Sequence, residues 1–318
     1  MTVALTDGID WQTLLPHLAG LTDAECRDLA PRLAHLPDET REVPGAWIDQ
    51  ALDGAPPAAM QLARSLHLTD HRYDDTEDDG AFERLLRHPS LAGLTRLTLG
   101  MTARRLTAAW LAELSGLKVL RIETTEAFTS ALTDEQLTTI AAAPALGRVT
   151  LLSLERVHVR GPGVAALARS STLTALTELE LYAPAAASLC NALAVHPAPA
   201  LRGVQRLALC ADHFTNAAAA ALARAVDLLT GLRALEFRID ESGGFDWSEP
   251  FSSSDGGRNT RRLAGALARL LPALHDCERV TIDYTPASQI VHLARADFER
   301  LADPRALRAA FPPRMANA

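Results

Sequence analysis

Cysteine and histidine, the residue types that most often carry enzyme chemistry, are scattered along this chain. The four cysteines are Cys26, Cys190, Cys210 and Cys277. They form no C-x-x-C pair, so the spacing typical of zinc ligands or of a disulfide framework is missing. His158 and His213 follow predicted strands, but neither has an identifiable nucleophile or carboxylate partner. Because G-x-x-x-x-G-K-[ST], H-E-x-x-H and G-x-S-x-G are also absent, the sequence predicts no catalytic residue, no metal ligand and no cofactor.

An acidic run, DHRYDDTEDDG at residues 70–80, offers carboxylates that could bind calcium. Its order does not match the D-x-[DN]-x-[DN]-G spacing, so a solvated acidic loop is favoured. Residues 1–90 hold 17 Asp and Glu against 7 Lys and Arg, whereas the remainder holds 22 against 24. With a net charge of −8 the chain lacks the basic balance expected of a nucleic-acid-binding protein. The acidic N-terminal part permits a basic protein partner.

The N-terminal sequence gives a prediction of location. MTVALTDGIDW carries Asp7 and Asp10 where a signal peptide would need basic residues followed by an apolar run. No part of the chain approaches the roughly 18 apolar residues of a transmembrane helix. These features predict a soluble cytoplasmic protein that does not enter a membrane.

Aliphatic residues recur along the chain with a spacing of three, three and two. In LTALTELELY, residues 173–182, these are Leu173, Leu176, Leu179 and Leu181, and further copies start at residues 91, 114, 146, 201, 229 and 274, with a degenerate one at 60. A spacing of two is the period of a strand with one buried face, and a spacing of three fits a turn leading into it. The pattern predicts strands near 97–99, 120–122, 152–154, 179–181, 207–209, 235–237 and 280–282.

The copies are separated by 23 to 32 residues, apart from a last step of 45. A near-constant period with tolerated insertions is typical of a solenoid. Between the strands, LTDEQLTTIAAA at 132–143 and GPGVAALARS at 161–170 predict helices, with Thr133 and Gln136 forming a capping box.

The L-x-x-L-x-L spacing, the repeat length and the helical return segments resemble leucine-rich repeats, most closely the longer, ribonuclease-inhibitor-like class. One difference is that the Asn or Cys that usually follows the strand is replaced. The resemblance implies an α/β leucine-rich repeat solenoid, a curved parallel sheet with helices on the convex side and helical N- and C-terminal caps. The expected divisions are an N-terminal cap at 1–59, a solenoid of 7–8 repeats at 60–285 with an insertion at 240–260, and a C-terminal cap at 286–318.

The two ends of the chain suit a capping role, because a single repeat cannot bury its own apolar face. Thr22 and Glu25 form a capping-box signature, and Trp47 is expected to pack onto the first coil. At the other end, residues 288–311 show a helical pattern that is interrupted at Asp303-Pro304. A cap of two helices is the prediction for that segment.

In the family that this chain resembles, residues between the leucines point out of the concave sheet face. Glu178 and Glu180 are therefore expected to face solvent, either as part of an ordinary solvated face or as a docking patch for a basic protein segment. The candidate protein-binding residues on this face are Arg121, Glu123, Glu155, Glu178, Glu180, Tyr182, Glu236 and Arg238.

The insertion that explains the step of 45 residues adds three further candidates. It reads IDESGGFDWSEPFSSSDGGRNT at 239–260 and carries Phe245, Trp247 and Phe251. Flexible linkers rarely contain aromatic residues, so the rings either fold back over the solenoid or engage a partner.

The leading functional hypothesis is a non-enzymatic protein-binding scaffold that uses the concave face of the solenoid. An inhibitor or immunity-type protein that blocks a basic enzyme is a narrower version of it. The alternative is an enzyme with a non-standard active site in the concave face or under the 240–260 insertion.

Overall fold

The computed structural model describes residues 10–69, 79–100, 103, 106–123, 132–155, 161–182, 189–193, 198–210, 216–225, 230–239, 265–284 and 289–310. Within these residues, nine strands form one sheet in chain order. The strands are β1 (Ser65–Leu68), β2 (Arg96–Leu99), β3 (Val119–Glu123), β4 (Leu151–Glu155), β5 (Glu178–Tyr182), β6 (Arg206–Cys210), β7 (Ala234–Ile239), β8 (Arg279–Tyr284) and β9 (Gln289–Ala294).

All seven strands predicted from the leucine spacing are present in one sheet and pair in parallel. The degenerate first copy also forms a strand, β1, which pairs with β2. The second strand position of each coil is fully or almost fully buried, and its residues are Leu66, Leu97, Leu120, Leu152, Leu179, Leu207, Leu235 and Val280. This row of side chains forms the inner layer of one continuous core.

Helices and short 3-10 turns make up the return segments. The helices include α1 (Trp11–Leu18), α2 (Asp23–Leu29), α3 (Gly45–Leu52), α4 (Asp79–Leu86), α5 (Ala108–Ala112), α6 (Asp134–Ala142) and α7 (Pro162–Ala168), followed by Asn216–Arg224, Phe298–Leu301 and Pro304–Ala310, and residues 189–193 and 265–270 are also helical. The capping boxes predicted at Thr22 and Thr133 are confirmed, with Glu25 and Gln136 as their third residues. Each box satisfies backbone N–H groups that a helix start leaves without an intrahelical partner.

Successive coils are joined by a ladder of backbone carbonyls at the start of the strands. Each carbonyl accepts the N–H groups of two consecutive residues in the next coil; Thr150 O, for example, accepts from Thr177 N at 2.9 Å and Glu178 N at 2.8 Å. The carbonyls of this ladder belong to Arg41, Arg64, Thr95, Lys118, Thr150, Thr177, Gln205 and Arg233. Backbone groups therefore tie the coils together at the start of the strands.

Two glycines in the turns before the strands allow this close approach of neighbouring coils. A Cβ atom at Gly203 would lie 3.0 Å from Leu176 O, and one at Gly231 would lie 2.9 Å from Arg202 O. Any larger residue would push against the backbone of the preceding coil, so these turns require glycine.

The N-terminal segment contacts the first edge of the sheet through Glu42 and Val43. The rings of Trp11 and Trp47 pack edge to face with centroids 6.5 Å apart, and both side chains are buried. Trp11 Nε1 donates to Glu42 O, and Glu42 in turn forms a short parallel bridge with Ser65 of β1. The boundaries at 59/60 and 285/286 stay predictions.

The C-terminal segment differs from its prediction as a pair of helices. Its first part is β9, which pairs antiparallel with β8, and the helices Phe298–Leu301 and Pro304–Ala310 follow. Val291 and Leu293 are buried while Ile290 and His292 are exposed, which is the alternation of a strand. Hydrogen bonding to the last parallel strand has overridden the local helical pattern.

Leu179 and Leu207 have no exposed surface, as the sequence predicted. We expect Leu179→Ala and Leu207→Ala each to lower the free energy of unfolding by about 2–5 kcal/mol, because neighbouring coils cannot close around the cavity. Chemical denaturation measures the change. Thr174→Ala, at an exposed turn position, serves as the control and should change stability by less than about 0.5 kcal/mol. An unchanged midpoint in both leucine variants would contradict the shared core.

Candidate functional site

The parallel register arranges the outward side chains of the sheet in three rows, which together form what we call the open face. The first row contains Arg96, Val119, Leu151, Glu178, Arg206, Ala234 and Arg279. The second row contains Thr98, Arg121, Ser153, Glu180, Ala208, Glu236 and Thr281. The third row contains Glu123 and Glu155, then Tyr182, Cys210, Arg238 and Asp283. The open face is the surface that the sequence predicted to be concave.

Arg206 is the centre of an ion-pair cluster on this face. Its Nη1 donates to Glu180 Oε1 at 2.5 Å and to Glu178 Oε2 at 3.2 Å. Its Nη2 donates to Glu236 Oε2 at 2.8 Å. One guanidinium on β6 therefore bridges carboxylates of β5 and β7, with the charge-assisted geometry that makes such hydrogen bonds strong.

The cluster continues from β7 back to β5. Arg238 Nε donates to Glu236 Oε1 at 2.6 Å, and Arg238 Nη1 donates to Tyr182 Oη at 3.0 Å. Tyr182 and Arg238 lie on opposite sides of Cys210 in the third row. These connected residues form the Arg206 cluster, which consists of Glu178, Glu180, Tyr182, Arg206, Glu236 and Arg238.

Small residues on β6 make room for this cluster. Ala208 lies between Glu180 and Glu236 in the second row, and it is 2% exposed. Cys210 is likewise buried at the next outward position of the same strand. The long side chains from β5 and β7 can therefore meet above β6, which larger residues at these two positions would prevent.

The sequence predicted that Glu180 faces solvent, and this prediction is wrong. Glu180 lies beneath Arg206 and is only 4% exposed. Burial acts to raise the pKa of Glu180, but hydrogen bonds from Arg206 and Ser153 outweigh it and hold that pKa below its ordinary value. The pKa of Arg206 is raised, since pairing with Glu180 and Glu236 outweighs its burial. Glu178 lies at the rim of the cluster, where 41% of its side chain is exposed.

Tyr182 also titrates away from its usual range. Burial, together with the nearby charge of Glu155, raises the pKa of Tyr182 to about 12 despite the hydrogen bond from Arg238. Burial acts to raise the pKa of Glu236, but pairing with Arg238 and Arg206 lowers it overall. These perturbations come from burial and pairing within one side-chain cluster, and none requires a bound substrate.

The other predicted residues of the open face lie toward β3 and β4. Glu123 and Glu155 are half-buried neighbours in the third row, so two carboxylates stand side by side. Arg121 is half-buried in the second row, and its buried Nε has no hydrogen-bond partner among the described residues. These three charged residues of the open face lie outside the Arg206 hydrogen-bond network given above.

The structure thus brings five of the predicted residues, Glu178, Glu180, Tyr182, Glu236 and Arg238, into one connected cluster. Arg206, which joins them, was absent from the predicted site. The sequence does carry a signal for Arg206, because it occupies the same position in its repeat as Glu178 does in the preceding one, and the parallel register makes the two neighbours. The aromatic residues of the insertion, Phe245, Trp247 and Phe251, lie outside the described residues, as does most of the acidic run, 70–78.

A groove lies away from the open face, between α5 and α6. It has a volume of about 330 Å³ and is lined by Ala108, Ala112, Thr138, Thr139, Ala142, Ala143, Pro144 and Ala145. These side chains supply no acid, base or thiol. Within the described residues, no group of three or more His, Cys, Asp and Glu could hold a metal ion. No helix of the described part is long and apolar enough to cross a bilayer.

No protein-family model matches the chain, and no curated protein matches it. Among solved structures it is similar to the leucine-rich repeat-containing protein LegL7 from Legionella pneumophila, with 12% identity, a TM-score of 0.45, and coverage of 86% of this chain and 93% of that one. The fold is a leucine-rich repeat solenoid. It is assigned from eight parallel strands in register, each at the position that its repeat dictates.

Charge reversal should affect the two glutamates of β5 very differently. We expect Glu180→Lys to lower the free energy of unfolding by about 3–5 kcal/mol, because it buries a second cation against Arg206. Glu178→Lys at the exposed rim should cost no more than about 1 kcal/mol. Denaturant unfolding of both variants, with Glu180→Gln as a control for shape, checks this. Equal losses for the two lysine variants would show that Glu180 is not the buried partner.

The phenol of Tyr182 should be visible in an alkaline titration. The chain has three tyrosines, and we expect one phenolate to appear only near pH 12. Because the folded state favours the neutral phenol, the stability that Tyr182 contributes is complete below about pH 10 and is lost as the pH rises toward 12. Ultraviolet absorbance of wild type and Tyr182→Phe measures this. A late transition that survives in Tyr182→Phe must belong to another tyrosine.

Proposed function

We propose that this protein is a non-enzymatic scaffold that binds a protein partner on the open face of its solenoid. The observation that carries the proposal is the Arg206 cluster, which fixes long polar side chains in place before any partner arrives. Side chains that are already ordered lose little conformational entropy on binding. Arginine and tyrosine, both present in the cluster, are also enriched among the residues that dominate interface energies.

The partner that best fits this face presents basic side chains to the region around β3–β5. Three carboxylates and two guanidiniums give the Arg206 cluster a net charge of −1. Glu180 and Glu236 are the more buried carboxylates of the cluster, so a partner meets mainly Glu178, which is 41% exposed although bonded to Arg206, and the half-buried Glu123 and Glu155. The overall charge of −8 adds a long-range term that favours encounter with a cation-rich surface.

An inhibitor or immunity-type role, in which the face covers a basic enzyme, is the narrower form of this proposal. Its support is the same acidic rim. The enzymatic alternative has no supporting observation among the described residues, because the perturbed carboxylates of the open face are accounted for by ion pairs. The other location for such an active site, under the 240–260 insertion, lies outside the described residues.

A pair of charge-matched double variants tests the proposal. Glu123→Lys with Glu178→Lys reverses two charges on the open face, whereas Glu39→Lys with Glu113→Lys makes the same change in net charge at exposed positions elsewhere. We expect the Kd of the open-face variant for its partner to rise by about tenfold or more, because removing complementary charges at a contact weakens binding. The control variant should keep its affinity.

Affinity purification from the native host with wild type and both variants as baits, followed by titration of the shared prey, measures the difference. Equal retention of the prey by all three baits would rule out the open face. Circular dichroism of each bait first establishes that the fold is intact, since a partner lost by unfolding says nothing about the contact.

A further inference from the structure

The two edges of the sheet differ in how they are covered. At the first edge, Glu42 bridges to Ser65, and Val43 N donates to Ser65 O at 2.8 Å. At the other edge, β9 pairs with β8 on its inner side, and no described residue forms a backbone ladder with its outer side. The open C-terminal edge is therefore a place where another strand can add.

The register identifies which groups β9 presents outward. In an antiparallel pair, the two strands exchange N–H and C=O bonds at every second residue pair. Arg295 N donates to Glu278 O at 3.0 Å, so the exchanging pairs continue through Leu293 and Val291 of β9. The backbone groups of the alternate residues point away from β8, and these residues are Ile290, His292 and Ala294.

This edge lacks the usual protection against pairing. Natural edge strands are commonly blunted by charged side chains, by proline or by a bulge. The sequence of β9, QIVHLA, contains no Asp, Glu, Lys, Arg or Pro, and its six residues pair with β8 without a bulge. Ile290, which is 58% exposed, is the one large hydrophobic side chain found exposed in the described part of the chain.

We propose that β9 pairs antiparallel with β9 of a second copy of this chain. A two-fold axis at His292 places His292 of each copy opposite the other, and places Ile290 opposite Ala294 of the second copy. All three outward-facing residues then exchange both of their backbone hydrogen bonds. The larger side chain of Ile290 meets a small one, and no like-charged pair of carboxylates or ammonium groups is brought together.

A second copy fits this edge better than an unrelated peptide because the strand is complementary to itself. A symmetric pairing uses the same patch on both chains, which is how most closed dimers form. The two-fold axis runs perpendicular to the sheet, so both open faces point to the same side. The dimer is a bivalent version of the scaffold, although its formation needs no partner and is independent of the proposed function.

The first test is the mass of the protein in solution. Sedimentation equilibrium over about 1 to 200 µM should show an increase from 34.1 kDa toward twice that mass. His292→Pro removes one outward N–H and leaves the bonds to β8 in place, since proline is tolerated where a strand's N–H faces solvent. We expect His292→Pro and Ile290→Lys each to raise the dimer Kd by about tenfold or more. Ala109→Lys, exposed on α5, should leave it unchanged.

The second test reads out the register. His292→Cys places one new thiol on the proposed axis, while the four native cysteines are buried. A hydrogen-bonded pair has Cα atoms about 5.5 Å apart, within the range that a disulfide spans. Mild oxidation should cross-link His292→Cys but not Ala109→Cys. The proposal is overturned if the wild-type chain stays monomeric. It is also overturned if the dimer persists in both edge variants and His292→Cys does not cross-link. The edge of β9 would then pair with a strand other than β9 of a second copy.

Discussion

The carbonyl at the start of each strand is the point at which one coil is tied to the next. It has two lone pairs, and it uses both of them for consecutive N–H groups of the following coil, as Thr177 O does for Gln205 and Arg206. This double acceptance fixes the parallel register, and the hydroxyls of Thr95, Thr150 and Thr177 donate to three of the same carbonyls, those of Arg64, Lys118 and Thr150. Turn glycines such as Gly203 admit the neighbouring backbone in several coils, whereas Ala175 stands at the matching turn position before β5. The buried leucine rows and the outward rows of the open face both follow from that register.

Because the register is fixed, the chemistry of the open face depends on which residue types share a row. Arg206 can bridge two strands only because its neighbours in the second row are Glu180, Ala208 and Glu236 in that order. Burying such ion pairs costs desolvation free energy, and replacing them by apolar residues often leaves stability unchanged or improves it. Stability alone therefore does not account for the cluster. The recognition role proposed above would make use of a fixed, mixed-sign surface, because charges at a contact set orientation and exclude wrong partners.

The sequence predicted what depends on local spacing and missed what depends on residues in other coils. The leucine spacing located the strands, and Thr133 with Gln136 located a helix start, because both signals lie within a few residues of each other. The burial of Glu180 could not be predicted in this way. It requires a cation on the next coil, 26 residues further along the chain, and a small residue at Ala208 beside it. The strand β9 was missed for a related reason, since its hydrogen bonds come from β8.

The reversal of chain direction at β9 also limits how the solenoid can grow. A further repeat would need a carbonyl that accepts two N–H groups at the start of the last strand. Instead, the ladder ends at Glu278, whose carbonyl accepts the N–H of Arg295 from a strand that runs in the opposite direction. No additional coil can continue that ladder, yet the outward backbone groups of β9 still require partners, which in a monomer can only be water or the chain itself. The same reversal that stops repeat addition therefore leaves an edge that a single strand can complete, and an uncharged strand with an exposed isoleucine is suited to association rather than to solvation.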